Sequence, residues 1–290
     1  MSEATLMFGI GATKAGTSWL HRYLAAHPDC HVRSIKELHF FDTIDKGRQN
    51  AQLSALQRNL QKLQRRQKNG DPANAITRAH RMADIEQYSR VLKKGDEAEY
   101  LAFLDEGRDG QRLIADITPS YALLSEGRME KMANMAADVR FVYLLRDPVA
   151  RLWSHVRMIA KRRTDAGNDI AERAREILER ALGGFEVQIT NRGDYRGTLE
   201  RLNAAVDPSR LFLAFYEDLF SNTTIARLCA FLGIANKTAD FGKRVHEGVP
   251  VELTMAQRGR AAAFLKPQYD YVEASLGQLP AAWEANRVGV

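Results

Sequence analysis

The sequence predicts an α/β domain of three layers, in which a central parallel sheet is covered by helices on both faces. Short apolar runs bounded by polar or turn residues are typical of buried strands, and five occur, at residues 5–10, 30–33, 112–117, 139–145 and 210–215. Helical patterns lie between these runs, and this alternation favours parallel strands joined by helices. Ligands of such sheets bind beyond the carboxyl ends of the strands, so the loops that leave those ends are the first candidates for a site.

Length and composition fit a single domain that spans residues 1–290. The chain is 45% apolar, which is enough to bury a sizeable core. Its longest apolar runs, residues 6–10 and 141–145, are far too short to cross a bilayer. No basic and apolar export signal opens the sequence, so we expect a cytoplasmic protein without a membrane span.

Charge and cysteine usage narrow the possible partners. A formal net charge of +6 favours an anionic partner without choosing among a nucleotide, a nucleic acid and a membrane. Cys30 and Cys229, the two cysteines, are far apart in the sequence and lack metal-ligand spacing. We therefore expect free thiols rather than a disulfide or a metal site.

Residues 47–110 interrupt the alternation with a long polar segment that favours helix. Leucines recur there at three- and four-residue steps, as in an amphipathic helix, at Leu53, Leu56, Leu60 and Leu63. Gly70-Asp71-Pro72 then breaks the pattern, and a second helical pattern follows through Met82, Ile85 and Leu92. We interpret the segment as a helical insertion, either a cover for a substrate pocket or a peripheral hairpin or dimer contact. The oligomeric state stays open.

The loop after the first strand is a candidate phosphate site. It reads Gly9-Ile10-Gly11-Ala12-Thr13-Lys14-Ala15-Gly16-Thr17-Ser18-Trp19 and leads into an amphipathic helix. A glycine-rich turn between strand and helix lets backbone N–H groups converge on an anion, and the helix N-terminus adds partial positive charge. Thr17 and Ser18 can either cap the helix or donate their hydroxyls to the anion, while Lys14 adds a mobile charge.

The position of the lysine distinguishes this loop from that of an ATPase. A Walker A loop has its lysine directly after the last glycine, whereas Lys14 comes two residues before Gly16. The Lys-x-Gly-Thr-Ser order resembles the 5′-phosphosulfate loop of sulfotransferases that use 3′-phosphoadenylyl sulfate (PAPS). The resemblance implies a P-loop-like sulfotransferase fold and a donor site formed by Lys14, Ala15, Gly16, Thr17, Ser18 and Trp19.

A second candidate phosphate site follows the fourth strand. Arg146 stands where the strand ends, Asp147 is a good N-cap and Pro148 a good first helical residue. On the helix, Leu152, Val156 and Ile159 share one face, whereas Arg151, Ser154 and Met158 fall on another. Arginine at the strand end and Ser154 two turns into the helix can grip one phosphate, because guanidinium matches its oxygens.

This arrangement resembles the 3′-phosphate motif of the same family, in which a serine follows the arginine by eight residues. The two motifs together imply PAPS as the donor and 3′,5′-bisphosphoadenosine (PAP) as the product. Weaker likeness to a later 3′-phosphate loop of the family adds Lys243 and Arg244, with Gly248 nearby. Residues 216–219 and 231–234, and further on Tyr269, Leu276 and Trp283, also resemble the family's last strand and helices.

The acceptor side is predicted from Lys36-Glu37-Leu38-His39-Phe40-Phe41-Asp42 after the second strand. This segment resembles that of glycosaminoglycan-type sulfotransferases, which implies Glu37 as the base that takes the proton of the acceptor, with His39 and Asp42 as neighbours or alternative bases. The alternative is that Glu37 has no catalytic role and is an exposed carboxylate that pairs with Lys36. The scheme requires no metal, and the acceptor is a small molecule, lipid or carbohydrate with a hydroxyl or amine.

A third segment, Asp116-Ile117-Thr118-Pro119-Ser120-Tyr121, resembles the family's Thr-Pro-Ser-Tyr segment. Many members carry lysine where this chain has Ile117, so a lysine contact to donor or acceptor is in doubt here. Thr118 and Ser120 either line the pocket or form a structural turn.

Two other function classes remain open. A P-loop kinase or ATPase is suggested by Leu113-Ile114-Ala115-Asp116, which is similar to a Walker B strand, and magnesium dependence would support it. A nucleic-acid-binding protein is suggested by Arg65-Arg66, Lys68 and Lys161-Arg162-Arg163, but no base-stacking aromatic pattern accompanies them. We expect sulfuryl transfer and no nucleic-acid partner.

Overall fold

The computed structural model describes residues 4–70, 74–165, 168–242 and 251–287. Its single sheet has the strand order β2-β3-β1-β4-β5, with every neighbouring pair parallel. The strands are β1 Thr5–Gly11, β2 Cys30–Val32, β3 Leu113–Ile117, β4 Val139–Leu145 and β5 Leu211–Phe215. Helices surround the sheet, so the predicted α/β class is confirmed, and each predicted strand agrees with an observed one to within a residue at either end.

The helices account for most of the remaining described chain. Their bounds are α1 Thr17–Ala25, α2 Phe40–Ile44, α3 Gln49–Lys68, α4 Ala75–Lys94, α5 Glu97–Asp105, α6 Glu126–Ala133, α7 Pro148–Arg163, α8 Ile170–Leu182, α9 Val187–Asn191, α10 Tyr195–Ala205, α11 Asn222–Leu232, α12 Met255–Leu276 and α13 Ala281–Arg287. Short 3₁₀ turns occupy Pro119–Leu123 and Pro208–Arg210. None of these described helices has the length and apolar character needed to span a membrane.

The central strands are buried on both faces because both faces carry helices. Leu6, Met7, Phe8 and Ile10 of β1 are completely buried, as are Phe141 to Val142 and Leu144 to Leu145 of β4. Near-continuous apolar runs are what parallel strands need when helices cover both sides. Cys30 and Cys229 are free, buried thiols.

The predicted helical insertion consists of α3, α4 and α5. Helices α3 and α4 pack against each other, and α5 packs against β2 and β3. Leu56 and Leu60 are the buried leucines of α3, while Leu53 and Leu63 are partly buried beside them. Residues 71–73, where the predicted break falls, lie outside the described residues. A role as pocket cover stays a prediction.

The parallel sheet brings the predicted motifs to one edge. The loops that follow β1, β2, β3 and β4 all leave carboxyl ends of strands, and hydrogen bonds join them in pairs. The Arg146 guanidinium, after β4, donates from Nη1 to the Lys14 carbonyl, after β1, at 3.1 Å. The His39 N–H, after β2, donates to Thr118 Oγ1, after β3, at 3.4 Å.

The C-terminal helices fix the end of β4. The Tyr269 hydroxyl donates to Asp147 Oδ2 at 2.7 Å, and the Asn286 amide donates to Asp147 Oδ1 at 3.0 Å. Trp283, fully buried, donates its indole N–H to Glu217 Oε2 at 2.8 Å, and Glu217 Oε1 accepts the Asp147 N–H at 3.0 Å. The strand end that carries Arg146 is therefore held by residues that are 70 to 139 positions away from Asp147.

Candidate functional site

The loop after β1 is shaped to present backbone N–H groups. Gly16 is the N-cap of α1 with φ of +93°, a conformation that favours glycine, and a Cβ there would lie 2.9 Å from the Tyr216 ring. Because the helix begins at Thr17, Thr17 and Ser18 lie in its first turn, and the capping alternative for their hydroxyls is wrong. Among the described residues no side chain caps α1, so its first N–H groups are available to an anion.

Lys14 lies at the centre of this loop, where other positive charges are close to its ammonium group. Its φ of +73° is in the left-handed region, which a non-glycine residue rarely adopts. Burial lowers the pKa of the Lys14 ammonium, and the positive charges of Arg146, Arg162 and Arg157 lower it further, opposed by Glu37. These like charges repel one another, and a bound anion would stabilise all of them.

Arg146 is held in place from three directions. Its guanidinium lies over the Tyr216 ring, 4.6 Å from the centroid, and also contacts the Lys14 carbonyl. The Tyr195 hydroxyl accepts the Arg146 N–H at 3.2 Å and donates to the Arg146 carbonyl at 2.6 Å. The two predicted donor-binding motifs therefore meet at Arg146, and contacts within the protein hold both its guanidinium and its backbone in place.

Helix α7 begins as predicted. The Asp147 side chain caps it by accepting the Ala150 N–H at 2.7 Å, and Pro148 is the first helical residue. Ser154, half-buried, lies on the same helix as Arg157 and Arg162. The sequence analysis did not single out Arg157 as a candidate, although the three-residue step from Ser154 places it on the neighbouring turn of the helix.

Arg151 and His155 belong to α7, and both side chains are buried in the protein. Arg151 is only 1% exposed, and its guanidinium is so close to Gly193 that a Cβ there would lie 2.3 Å from Nη2. Burial lowers the pKa of Arg151. Burial, with the charges of Arg151 and Arg192, also lowers the pKa of His155 to about 3, so this imidazole is neutral.

The remaining residues predicted to bind the donor are either buried or outside the described residues. Trp19 is 6% exposed and packs in an aromatic cluster, its ring stacked on Tyr23 at 5.5 Å between centroids and on Phe241 at 6.1 Å. Ala15, within the loop itself, is fully buried. Lys243 and Arg244, like Gly248, lie outside the described residues.

On the acceptor side, Glu37, His39 and Asp42 form a row of contacts. The Glu37 carboxylate accepts a hydrogen bond from Lys36 Nζ, and its Oε2 lies 3.6 Å from His39 Nε2. His39 Nδ1 lies 3.0 Å from Asp42 Oδ2. The Glu37 side chain is 40% exposed and pairs with Lys36, as the alternative interpretation of this residue predicts. It also contacts the His39 imidazole.

These contacts set opposite charges on Glu37 and His39. Burial alone would raise the pKa of Glu37, but the hydrogen bonds from His39 and Lys36 outweigh it and lower this pKa to about 2. Burial alone would lower the pKa of His39, but its contacts with Asp42 and Glu37 raise it to about 9. At neutral pH Glu37 can therefore accept a proton, whereas His39 already carries its own.

Arg192, which follows α9, is an unpredicted member of the acceptor side. Its Nη1 donates to Ser120 Oγ at 2.9 Å, and the guanidinium is close enough to Asp42 and Glu37 to feel their charges. Ile117 is 2% exposed and packs against Gly9 in the sheet, so it brings no charge to the site. The sequence contains no local signal for Arg192, because Ser120 is 72 residues away.

Asp116, the carboxylate of the Walker B-like pattern, accepts hydrogen bonds from three hydroxyl groups. Its Oδ2 accepts hydrogen bonds from Tyr100 and Tyr121, both at 2.7 Å, and its Oδ1 accepts one from Thr118 at 2.7 Å. No group of three or more His, Cys, Asp or Glu side chains suited to a metal occurs within the described residues. Thr118 therefore takes part in a structural network, while the hydroxyl of Ser120 contacts Arg192.

Part of the basic tract at the end of α7 is neutralised within the protein. Arg163 forms a two-pronged ion pair with Glu186, with Nη1–Oε1 at 2.7 Å and Nη2–Oε2 at 3.0 Å. Arg180 adds a third contact to Glu186 at 3.1 Å. The Glu186 carboxylate is 4% exposed, so these arginines serve the fold.

Comparisons with known proteins agree with this fold and identify its family. A search of curated protein sequences gives no significant match to the chain. Among solved structures, the crystal structure of a sulfotransferase from Alicyclobacillus acidocaldarius is 21% identical, with a TM-score of 0.64 over 98% of this chain and 100% of that one. A sulfotransferase domain from the curacin biosynthetic pathway is 18% identical, with a TM-score of 0.51 over 97% of this chain and 100% of that one. Residues 7–238 match the model of the sulfotransferase family, and the chain therefore belongs to that family.

Proposed function

We propose that the protein transfers a sulfuryl group from PAPS to a hydroxyl or amine of an acceptor, which is a small molecule, lipid or carbohydrate. One observation carries the proposal. The Lys14 loop and Arg146 meet through a 3.1 Å hydrogen bond at the carboxyl edge of the sheet, with the ionised Glu37 close enough to influence Lys14 electrostatically. Two anion-binding elements and an opposed carboxylate are what this transfer requires.

The donor would lie across the two anion-binding elements. The N–H groups of Gly16, Thr17 and Ser18 and the Lys14 side chain would hold the 5′-phosphosulfate, because oriented amides and a helix N-terminus favour phosphate. The Trp19 N–H already donates to the Gly16 carbonyl at 2.9 Å. Arg146 and Ser154 would hold the 3′-phosphate, with Arg157 adding charge from the same helix. An anionic donor would also remove the mutual repulsion that lowers the pKa of Lys14.

The proposed chemistry is an in-line displacement at sulfur. The acceptor oxygen or nitrogen forms a bond to sulfur while the bond from sulfur to the 5′-phosphate oxygen breaks, and its electron pair leaves with PAP. Lys14 and the amides of the loop stabilise the charge that gathers on this oxygen. Glu37 takes the proton that the acceptor loses.

A pKa of about 2 makes Glu37 a weak base while its present contacts last. Lys36 is one of the two groups that hold this pKa down. An acceptor hydroxyl that displaces Lys36 from the carboxylate removes that contact, so the pKa of Glu37 rises when the acceptor is in place. His39, protonated and bonded to Asp42, keeps the carboxylate oriented toward the acceptor.

The test is an assay of PAP release from PAPS with a panel of alcohols, phenols and amines. We expect transfer without added metal, and Lys14→Ala should depress turnover with every acceptor, because leaving-group charge develops whatever attacks. Lys62→Ala, an exposed lysine on α3, is the matched control. Magnesium-dependent use of ATP in place of PAPS would instead support the kinase or ATPase alternative, and full turnover by Lys14→Ala would remove the assigned role of this lysine.

A further inference from the structure

We infer that Asp116 is a positioning residue for the acceptor side of this reaction. Through Thr118 and Tyr121 it holds the backbone N–H groups of His39 and Phe40, and so it fixes the segment that carries the proposed base. The effect on turnover rests on the proposed function, whereas the effect on the geometry of His39 does not.

The connection is a continuous hydrogen-bond network. Tyr121 donates its hydroxyl to Asp116 Oδ2 at 2.7 Å and accepts the Phe40 N–H at 3.0 Å. Thr118 donates its hydroxyl to Asp116 Oδ1 at 2.7 Å and accepts the His39 N–H at 3.4 Å. One buried carboxylate thus reaches two consecutive amides of another segment through two side chains.

The segment needs such support because its backbone is unusual. Glu37 and His39 have φ of +63° and +59°, in the left-handed region, and strained residues of this kind persist only where their surroundings hold them. His39 is also the N-cap of α2, and no side chain within the described residues caps that helix. The hydroxyls of Thr118 and Tyr121 satisfy two of the N–H groups at the start of this helix that have no acceptor within the helix.

The carboxylate also fixes the direction of every bond in the network. All three hydroxyls that contact Asp116 donate to its oxygens, so Thr118 and Tyr121 keep their lone pairs for the two N–H groups. Asparagine in place of Asp116 would present an N–H₂ group to at least one of these hydroxyls. That hydroxyl would then have to turn, and its bond to the amide of His39 or Phe40 would weaken.

Tyr100 provides a matched control for Tyr121. Both rings are fully buried, and both hydroxyls donate to the same Asp116 oxygen at 2.7 Å. Only the Tyr121 oxygen accepts an N–H of the segment, whereas Tyr100 contacts Phe40 by ring stacking at 4.3 Å, which phenylalanine preserves. Thr118→Val and Thr118→Ser form a second pair, since serine keeps the hydroxyl and valine removes it.

The experiment follows the His39 imidazole by NMR titration of the histidine-labelled full-length protein, with neither donor nor acceptor present. Its pKa is raised to about 9 because the segment holds it against Asp42 and Glu37. Thr118→Val, Tyr121→Phe and Asp116→Asn should shift this pKa toward the ordinary 6.5, while Thr118→Ser and Tyr100→Phe should leave it near the parent value. Thermal melts identify any variant that fails to fold, and the Tyr121 and Tyr100 pair decides the matter if the Thr118 variants do fail.

Transfer assays with the same variants then separate turnover from donor binding. Tyr121→Phe and Thr118→Val should lower kcat by about tenfold, with PAP affinity unchanged, and Thr118→Ser should restore most of the loss. Equal losses for Tyr121→Phe and Tyr100→Phe, or an unmoved His39 pKa in both Tyr121→Phe and Thr118→Val, would overturn the inference. A shifted His39 pKa in a protein that transfers no sulfuryl group would leave the inference standing and count against the proposed function.

Discussion

The two sides of the site are built in different ways. On the donor side, residues 12–16 form the loop between β1 and α1. Gly16 determines its shape, and its anion-binding groups are backbone N–H groups. On the acceptor side, residues 33–42 are held by side chains from distant parts of the chain. The donor side is therefore local in sequence, and the acceptor side is assembled only by tertiary folding.

Helix α4 shows how much of the acceptor side comes from the insertion. Asp84 accepts hydrogen bonds from Arg33 Nη2 at 2.7 Å and from the Ser34 hydroxyl at 2.6 Å. The Tyr88 hydroxyl donates to the Leu38 carbonyl at 2.8 Å. The insertion thus supports the segment that carries Glu37.

Glu37→Gln should have the largest effect and should separate the two sides. The amide keeps the shape of the side chain but cannot take a proton, so turnover should fall by roughly a hundredfold or more while PAP affinity is preserved. Steady-state transfer over a pH series, with an alcohol and a phenol as acceptors, measures the effect. The penalty should shrink for a phenol that is already ionised, because no proton then has to be removed.

Glu99→Gln is the control for this change, since Glu99 forms an exposed ion pair with Lys94 on the surface of the insertion. It should leave both turnover and PAP affinity near the parent values. Full activity of Glu37→Gln on the alcohol would remove the assigned role of Glu37 as the base.

Arg146→Ala should produce the reverse pattern. Its guanidinium is proposed to contact a phosphate remote from sulfur, and charge-assisted hydrogen bonds of this kind contribute roughly 1.5–3 kcal/mol, or about ten- to a hundredfold in affinity. PAP binding should weaken by that amount, with little change in turnover at saturating donor. Calorimetry measures the binding, and Arg163→Ala, whose guanidinium pairs with Glu186, is the control. Parent-like PAP affinity in a folded Arg146→Ala protein would exclude this arginine as the clamp.

Ser154→Ala should act on the donor side in the same direction but less strongly. A neutral hydroxyl contributes about 0.5–1.5 kcal/mol, which corresponds to a loss in PAP affinity of roughly two- to tenfold. The same calorimetric titration detects it. Ser209→Ala, on the 3₁₀ turn before β5, should leave PAP affinity unchanged, and a loss in Ser154→Ala no larger than this control would remove Ser154 from the donor site.

His39 should affect the stability of the fold rather than the binding of PAP. Its pKa is about 9 in the folded protein and is expected near 6.5 in the unfolded chain. The contacts of the imidazolium therefore stabilise the fold fully below about pH 6.5 and cease to do so as the pH rises through about 9. Denaturant unfolding should show His39→Gln destabilised relative to the parent at about pH 6, with the difference gone at about pH 10. The exposed His80→Gln is the control, and a difference that is independent of pH would contradict the assigned pKa.

The contrast between the two sides also explains what could be predicted from the sequence. The strands, the Lys14 loop and the Asp147 cap depend on residues within a few positions of one another, so their patterns are visible in the sequence. Arg192 and Ser120 are 72 residues apart, and Phe40 and Tyr121 are 81 apart, so nothing local indicates that they meet. Asp116 was open to a Walker B interpretation for the same reason, because its partner Tyr100 comes from the insertion.

The burial of Arg151 shows a second limit. The helical period places Arg151 on a different face from Leu152 but does not show that this face is also buried, because α7 is covered by neighbouring helices on more than one side. Gly193 leaves room for the guanidinium because it has no side chain. The sequence alone does not indicate this role, because Gly193 and Arg151 are brought together only by folding.

Nucleotide binding measured by calorimetry, with a chelator present, tests the central claim most directly. The site is proposed to recognise a 3′,5′-bisphosphate through two separate anion-binding elements, so PAP should bind at least about tenfold more tightly than 5′-AMP or ADP, since a charge-assisted phosphate contact is lost in each of them. Added magnesium should change none of these affinities. Equal affinity for PAP and 5′-AMP, or ADP binding that exceeds PAP binding once magnesium is added, would contradict the account.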